Sequence, residues 1–127
     1  MRPSMKPLFF AAALVISSSS FADEVSRALF TIGIDNREPV IMVDSLDSSS
    51  YTSISFFTEL SGLSGQNITH QWTHNDKVMF EKTFEVKGAR WRVWTSKTLA
   101  PSWTGTWTVN VLDDDRAVLT SKSFEYQ

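Results

Sequence analysis

Cysteine is absent from this chain of 127 residues. That absence excludes a lipid-modified N-terminal cysteine, a fold held together by disulfides and a thiolate metal centre. A domain with none of these must be stabilised by the packing of its core. Aromatic residues make up 13% of the sequence and supply the largest side chains for such a core.

Long apolar runs are also missing. The longest run, Leu8–Ile16, is shorter than half of the roughly 20 residues that a membrane-spanning helix needs. It follows the basic residues Arg2 and Lys6 and precedes Ser20–Ala22, where small residues stand as a cleavage site requires. This order predicts a cleaved secretory signal peptide over residues 1–22, with a buried N-terminal helix as the alternative.

Basic charge is scarce in the rest of the chain. Arg2 and Lys6 are two of the 12 Lys and Arg residues, so 10 remain against 14 Asp and Glu over residues 23–127. A nucleic-acid-binding domain needs a basic face, so we expect no nucleic-acid partner. We expect 23–127 to form one domain without an integral membrane segment, exported to the periplasm or the extracellular medium.

Alternation of apolar and polar residues with a period of two runs through this domain. Turn-forming residues interrupt it every 8–12 residues or so, which favours an all-β sandwich or barrel of about eight short strands. We predict an immunoglobulin-like antiparallel β-sandwich of seven or eight strands, with a barrel as the alternative. A change of phase between Leu119 and Phe124 predicts a β-bulge in the last strand.

The same alternation sets the register of three consecutive strands. A loop over residues 75–77 would join the first to the second, and a two-residue turn at 87–88 would join the second to the third. Both turns keep the apolar residues on one face, whereas a slip of one residue would invert them. The expected cross-strand pairs are Ile68 with Phe84, His70 with Lys82, Trp72 with Phe80, His74 with Val78, Phe84 with Trp91, Val86 with Ala89, Glu85 with Arg90 and Thr83 with Arg92.

Five segments of the chain, taken in order, resemble one family. They read FTIGIDNREPV at 30–40, FFTEL at 56–60, GQNITHQW at 65–72, GARWRVWTSK at 88–97 and GTWTVNVLD at 105–113. Over essentially the whole exported part, the chain resembles the bacterial domain of unknown function 2914. The resemblance implies a small domain of envelope or exported proteins with no established activity. The family pattern has a glycine in the last turn, where this chain has Asp115-Arg116, so the geometry of that turn is left open.

A group of polar side chains is predicted on the inward face. His70 and Lys82 alternate there with apolar residues, and an inward amine is costly unless it is paired or reaches water. Glu59 would be a partner if its strand lies adjacent. Either Lys82 lies near a sheet edge and reaches solvent, or these groups line an opening that accepts an anionic or hydroxylated ligand.

A second candidate binding surface faces outward. Arg90, Arg92 and Trp94 form a stripe of cations and an aromatic ring, which Lys97 would extend, and such a stripe can bind sugars, carboxylates or phosphates. The alternative is a set of cross-strand ion pairs in which arginine stems cover Trp94. Trp103, in a loop, is either an exposed aromatic contact or a plug at the end of the sandwich.

Chemistry that needs a metal, a cofactor or a nucleophile has no motif in the sequence. His70 and His74 would lie roughly 13 Å apart on a strand, too far to share a zinc ion whose ligands lie at about 2 Å. Neither a G-x-S-x-G elbow nor a phosphate-binding glycine loop occurs. We therefore expect no metal, no cofactor and no catalysis.

Three functions remain open. The first is a non-catalytic module of the bacterial envelope that recognises a protein or a glycan. The second is a structural accessory domain that pairs through an exposed strand edge, for which the strand headed by Pro39 is a candidate. The third is a small enzyme with a polar cleft at His70, Lys82 and Glu59.

Overall fold

A computed structural model describes residues 24–127, so the signal peptide predicted over 1–22 lies outside the described residues. No helix in the described range is long and apolar enough to cross a membrane. Seven long strands and four two-residue strands follow one another: β1 (Val25–Thr31), β2 (Ile34–Asp35), β3 (Glu38–Pro39), β4 (Met42–Val43), β5 (Ser45–Leu46), β6 (Ser53–Ser61), β7 (Asn67–His74), β8 (Lys77–Glu85), β9 (Arg90–Thr98), β10 (Gly105–Leu112) and β11 (Val118–Tyr126).

The long strands form two facing sheets. One has four strands in the order β4-β1-β6-β9, the other has five in the order β5-β11-β10-β7-β8, and β2 and β3 pair with each other. The long strands pair antiparallel throughout, and only β5 runs parallel to its neighbour β11. The predicted immunoglobulin-like sandwich is confirmed.

The core lies between the inward faces of the two sheets. Trp72 of β7 is fully buried, and its ring meets those of Phe30 and Phe56 from the opposite sheet with centroids 6.0 and 6.5 Å apart. Both contacts are edge-to-face, a geometry that adds about 0.5–1.5 kcal/mol per pair beyond the burial of area. Phe84 and Trp91 pack at the margin of this core, on the inward faces that the alternation predicted.

The turn between β7 and β8 is tighter than predicted. Asn75 and Asp76 have φ values of 52° and 63°, as a two-residue type I′ turn requires, so His74 pairs with Lys77 and not with Val78. A bulge next along the ladder absorbs the difference. The remaining predicted pairs between these two strands are confirmed.

The predicted hairpin turn at residues 87–88 is wrong. β8 and β9 belong to different sheets, and β9 pairs along its full length with β6. Neither turn residue has the positive φ that a two-residue hairpin needs. Instead, buried Val86 donates its N–H to the Gln66 carbonyl (2.8 Å) and accepts from the Gly65 N–H (2.7 Å), and the chain passes between the sheets here. Alternation fixes which face of a strand is buried, but not which sheet the strand joins.

A hairpin over residues 32–41, called the outer hairpin below, folds back over the four-stranded sheet. β2 and β3 are its arms, and Asn36 and Arg37, with φ of 53° and 61°, form its type I′ turn. At its base the buried Thr31 hydroxyl donates to the Gly33 carbonyl (2.8 Å) and accepts from backbone N–H groups of the hairpin. These side-chain bonds add to the backbone bonds from Ile32 N–H to the Ile41 carbonyl (3.1 Å) and from Val40 N–H to the Gly33 carbonyl (2.9 Å). The tip of the hairpin lies against β9.

The last strand confirms one prediction, and the turn before it shows how the chain bends without the glycine of the family pattern. β11 has its predicted bulge at Leu119. In the turn before it, Arg116 has a φ of 64°, a left-handed conformation that glycine adopts without strain. The Asp113 carboxylate accepts from the N–H groups of Asp115 (2.9 Å) and Ala117 (2.8 Å). A side chain thus stabilises the turn in which the family pattern has glycine.

Candidate functional site

His70 lies inside the sandwich with no exposure to solvent. Its Nε2 and Nδ1 contact the hydroxyls of Thr58 (2.9 Å) and Thr95 (3.0 Å), both on the opposite sheet. Thr58 also donates to the Val93 carbonyl, and Thr95 also accepts from the Trp72 indole N–H. The hydrogen bonds that Thr58 and Thr95 make with these other groups set the direction of their hydrogen bonds to His70. Nε2–H donates to Thr58, and Nδ1 accepts from Thr95, in what we call the His70 network.

The His70 network fixes the charge of the imidazole. Burial lowers the pKa of His70 to about 3. A second proton, on Nδ1, would break the bond from Thr95 and place a charge in the core without a carboxylate partner. The ring is therefore neutral at pH 7, and its role in the structure is to join the two sheets through satisfied hydrogen bonds.

Lys82 and Glu59 do not converge on His70. Lys82 pairs with His70 across the ladder, as predicted, but β8 is an edge strand and the exposed amine lies 6.0 Å from the Phe84 ring centroid. Glu59 points to the outer face of β6, where it binds arginines. These three residues form no common cleft, and Lys82 reaches solvent as the alternative interpretation held.

Five charged side chains of alternating sign lie across the outer face of the four-stranded sheet. This outer ion-pair chain runs through Arg90, Glu59, Arg27, Glu38 and Arg92. The partners predicted for the two β9 arginines, Glu85 and Thr83, are wrong, because β9 pairs with β6 and not with β8. The two β9 arginines nevertheless form ion pairs, as expected, but with Glu59 and Glu38.

The two carboxylates of the outer ion-pair chain are held ionised. Hydrogen bonds from Arg27 and then Arg92 lower the pKa of Glu38 to about 2. Hydrogen bonds from Arg90 and then Arg27 lower the pKa of Glu59 to about 2. Glu59 is the more enclosed of the two, with 13% of its side chain exposed against 42% for Glu38. The outer ion-pair chain thus connects the outer hairpin to β1, β6 and β9.

We expect Glu59→Gln to lower the melting temperature by roughly 5–10 °C, because it removes the charge that Arg27 and Arg90 share in a half-buried site. The matched control is Glu81→Gln, whose pair with Arg116 is more exposed and should cost less than about 3 °C. Thermal unfolding followed by circular dichroism measures both. Equal shifts in the two variants would contradict a special contribution from the outer ion-pair chain.

Phe57 is a buried residue that sequence reasoning missed. It lies on the outward face of β6 yet has no exposure, because the Arg27 guanidinium lies 4.9 Å from its ring centroid and Trp94 stacks on it at 6.4 Å. Arg37 of the outer hairpin covers Trp94 in turn, at 5.6 Å. The available signal was the adjacent pair Phe56-Phe57, since one of two neighbouring strand residues must face outward.

An open groove of about 500 Å³ separates β8 from β9, the unpaired edges of the two sheets. We call it the edge groove. It is open to solvent, and its walls combine aromatic rings with charged side chains. Its aromatic lining residues are Phe84, Trp91 and Trp94, and its charged ones are Arg37, Lys87, Arg92 and Glu85.

The predicted site residues are divided between the edge groove and other places. Arg92 and Trp94 line the groove, whereas Arg90 ends the outer ion-pair chain. The extension of the stripe to Lys97 is wrong, because Lys97 follows the inward register and its amine lies over the Trp103 ring at 5.3 Å. Trp103 is partly buried against the core, as a plug at the end of the sandwich would be.

The two histidines have separate partners. His74 donates to the Thr104 carbonyl (2.9 Å) and stacks on Trp107 with centroids 4.5 Å apart, while His70 is enclosed in the core. Within residues 24–127, no group of three or more His, Asp or Glu side chains could hold a metal ion.

The architecture defines this protein as an immunoglobulin-like β-sandwich. It is similar to an immunoglobulin-like protein from Pseudomonas aeruginosa, with a TM-score of 0.54 and 16% identity, covering 80% of this chain and 92% of that one. At this identity the likeness shows the fold alone.

In sequence, residues 65–126 match the model of the family described as Protein of unknown function (DUF2914). The predicted resemblance is confirmed there, over a shorter span than the sequence segments suggested. No curated protein matches the sequence.

Proposed function

We propose that this protein is an exported, non-catalytic recognition module of the bacterial envelope whose ligand, a protein or a glycan, binds the edge groove. One observation carries the proposal: aromatic rings of Trp91 and Trp94 and the cations Arg37 and Lys87 surround one groove between two unpaired strand edges. Such a surface combines apolar contact area with directional polar bonds, the composition of recognition sites in general.

The export part of the proposal rests on the sequence of residues 1–22, with its basic start, short apolar run and small residues before Asp23. Cell fractionation with an immunoblot tests it. We expect a shortened protein in the periplasm or the medium. A protein of full length that stays in the cytoplasm would contradict export.

The non-catalytic part is supported by the state of the titratable groups. His70 is neutral and enclosed, and Glu38 and Glu59 keep their negative charge to about pH 2 through their arginine partners. A general acid or base must reach the substrate and have a pKa near the working pH. None of these three groups meets both requirements.

The edge-pairing alternative has one observation in its favour. Val40, Ile41 and Met42 are 56%, 52% and 68% exposed and lead into the edge strand β4. β4 has only two residues, however, and short edge strands pair weakly with other chains. A dimer in sedimentation analysis that is lost in Met42→Lys would favour this function over the recognition module.

Capture from an envelope extract tests the proposed function. Immobilised wild-type protein is compared with Lys87→Glu, and with Lys122→Glu on β11 as the matched change of charge away from the edge groove. We expect wild type and control to retain the same component and Lys87→Glu to retain at least tenfold less. Equal capture by all three proteins would mean that the ligand binds elsewhere, contrary to the proposal.

A further inference from the structure

The edge groove carries unneutralised positive charge in a chain whose net charge is −2. Arg92 is paired with Glu38, but Arg37 and Lys87 take part in no ion pair among the described residues. Glu85 is the only carboxylate among the lining residues of the groove, so cations outnumber anions there. Charge complementarity therefore calls for an anionic ligand.

Arg37 retains most of its hydrogen-bonding capacity. One of its N–H groups donates to the Arg92 carbonyl (3.2 Å), and the described residues offer its remaining side-chain N–H groups no acceptor. A planar guanidinium binds a carboxylate through two parallel bonds, which gives direction as well as energy. A carboxylate, whose two oxygens lie in one plane, is an anionic group that fits this geometry.

The strand edges beside the groove are protected against the addition of a peptide strand. The Arg92 carbonyl lies on the edge of β9 turned away from β6, and Arg37 already occupies it. On β8, Lys82 stands in the inward register, and an inward charge on an edge strand is a common protection against pairing. A peptide that binds by extending either sheet is disfavoured at both edges.

We infer that the edge groove binds an acidic oligosaccharide, a short sugar chain that carries carboxylates. Arg37 and Lys87 bind the carboxylates, and the apolar ring faces of the sugars lie against the exposed parts of Phe84 and Trp91. A sugar chain needs no main-chain ladder, so the protected edges do not exclude it. This inference rests on the proposed function and narrows the ligand to one class.

Titration calorimetry and amide chemical shifts with three defined probes test the inference. The probes are trigalacturonate, which is acidic, galactotriose, which is neutral, and hexaglutamate, an acidic peptide. We expect trigalacturonate to bind at least tenfold more tightly than the other two and to shift amides in residues 83–94. Equal binding of galactotriose, or tighter binding of hexaglutamate, would overturn the inference.

The same titrations separate this inference from the proposed function. If galactotriose binds residues 83–94 as tightly as trigalacturonate, or hexaglutamate binds them more tightly, the groove still recognises a ligand and only its assignment to acidic sugars is overturned. If no probe binds although capture from the extract depends on Lys87, the acidic sugar is overturned and the proposed function stands.

Three variants test the role assigned to Arg37. We expect Arg37→Gln to weaken trigalacturonate binding at least tenfold and Arg37→Lys to weaken it less, because lysine keeps the charge but lacks the two-pronged geometry. Lys122→Gln should leave binding unchanged. Melting temperatures close to that of wild type establish that each variant is folded. Unchanged binding by folded Arg37→Gln would overturn the assignment.

Discussion

Lowering the pH from 7 to 4 is expected to reduce the free energy of unfolding by about 3 kcal/mol through His70 alone. In the unfolded chain the imidazole takes up a proton below its ordinary pKa of 6.5, whereas burial in the fold prevents this until about pH 3. The unfolded state therefore binds more protons across this range. Stability is fully present above pH 6.5, falls as the pH falls, and stops falling from this cause near pH 3.

The matched variant for this prediction is His70→Gln, which retains polar atoms toward Thr58 and Thr95 but cannot titrate. Glu38 and Glu59 add their own acid loss only below about pH 4.5, because their pKa values fall from 4.5 to about 2 on folding. Urea unfolding between pH 6.5 and 4.5 therefore isolates the histidine. If wild type and variant lose stability in parallel over this interval, the buried neutral His70 is contradicted.

Trp72→Ala should lower the free energy of unfolding by about 3–5 kcal/mol, the usual cost of removing a large buried aromatic side chain. Trp72 has no exposure, contacts aromatic rings from both sheets and donates its indole N–H to Thr95 (2.9 Å). Its loss opens a cavity in the core and removes the bond that orients the Thr95 hydroxyl toward His70. Equilibrium unfolding in urea at pH 7 measures the change.

Two further variants keep the Trp72 prediction testable if the alanine variant does not fold. Trp72→Phe retains most of the volume and should cost about 1–2 kcal/mol, mainly for the unpaired polar group at Thr95. Trp103→Ala removes a ring that is only partly buried, and should cost less than half as much as Trp72→Ala. Equal losses of unfolding free energy in Trp72→Ala and Trp103→Ala would contradict the placement of Trp72 in the core between the two sheets.

The faces of the strands could be predicted from the sequence, because burial repeats with a period of two whatever the partner strand is. His70 and Trp72 both lie inward as the alternation predicted. Most cross-strand pairs of β7 and β8 could also be predicted, since their apolar residues must share one face, but the two-residue turn at Asn75 and Asp76 and the bulge beside it were not predicted.

The sheet to which β9 belongs could not be predicted. Trp91 and Val93 face the core equally well from either layer, so alternation does not distinguish a hairpin from a crossing between sheets. The bonds of Val86 with the Gly65–Gln66 loop decide the matter, and they join segments about 20 residues apart in sequence. Phe57 was missed for a related reason, because the outer hairpin that covers it is distant in the chain.

The crossing from β8 to β9 also creates the candidate site. Had the two strands paired, as the sequence suggested, Phe84 and Trp91 would be ladder neighbours and no groove would separate the sheets on that side. With β8 and β9 as the edges of opposite sheets, both strands are left open, and the outer hairpin adds Arg37 from a third segment. The site is thus a product of topology more than of any local motif.

Site-directed photo-crosslinking in cells tests most directly whether the edge groove is the recognition surface. A benzophenone amino acid is placed at Thr83 or Glu85, in the edge groove, and at Ser121 or Lys122, on β11 far along the same sheet. We expect an irradiation-dependent adduct from both groove positions and none from the two β11 positions. Adducts from Ser121 or Lys122, with none from Thr83 or Glu85, would contradict the edge groove as the recognition surface.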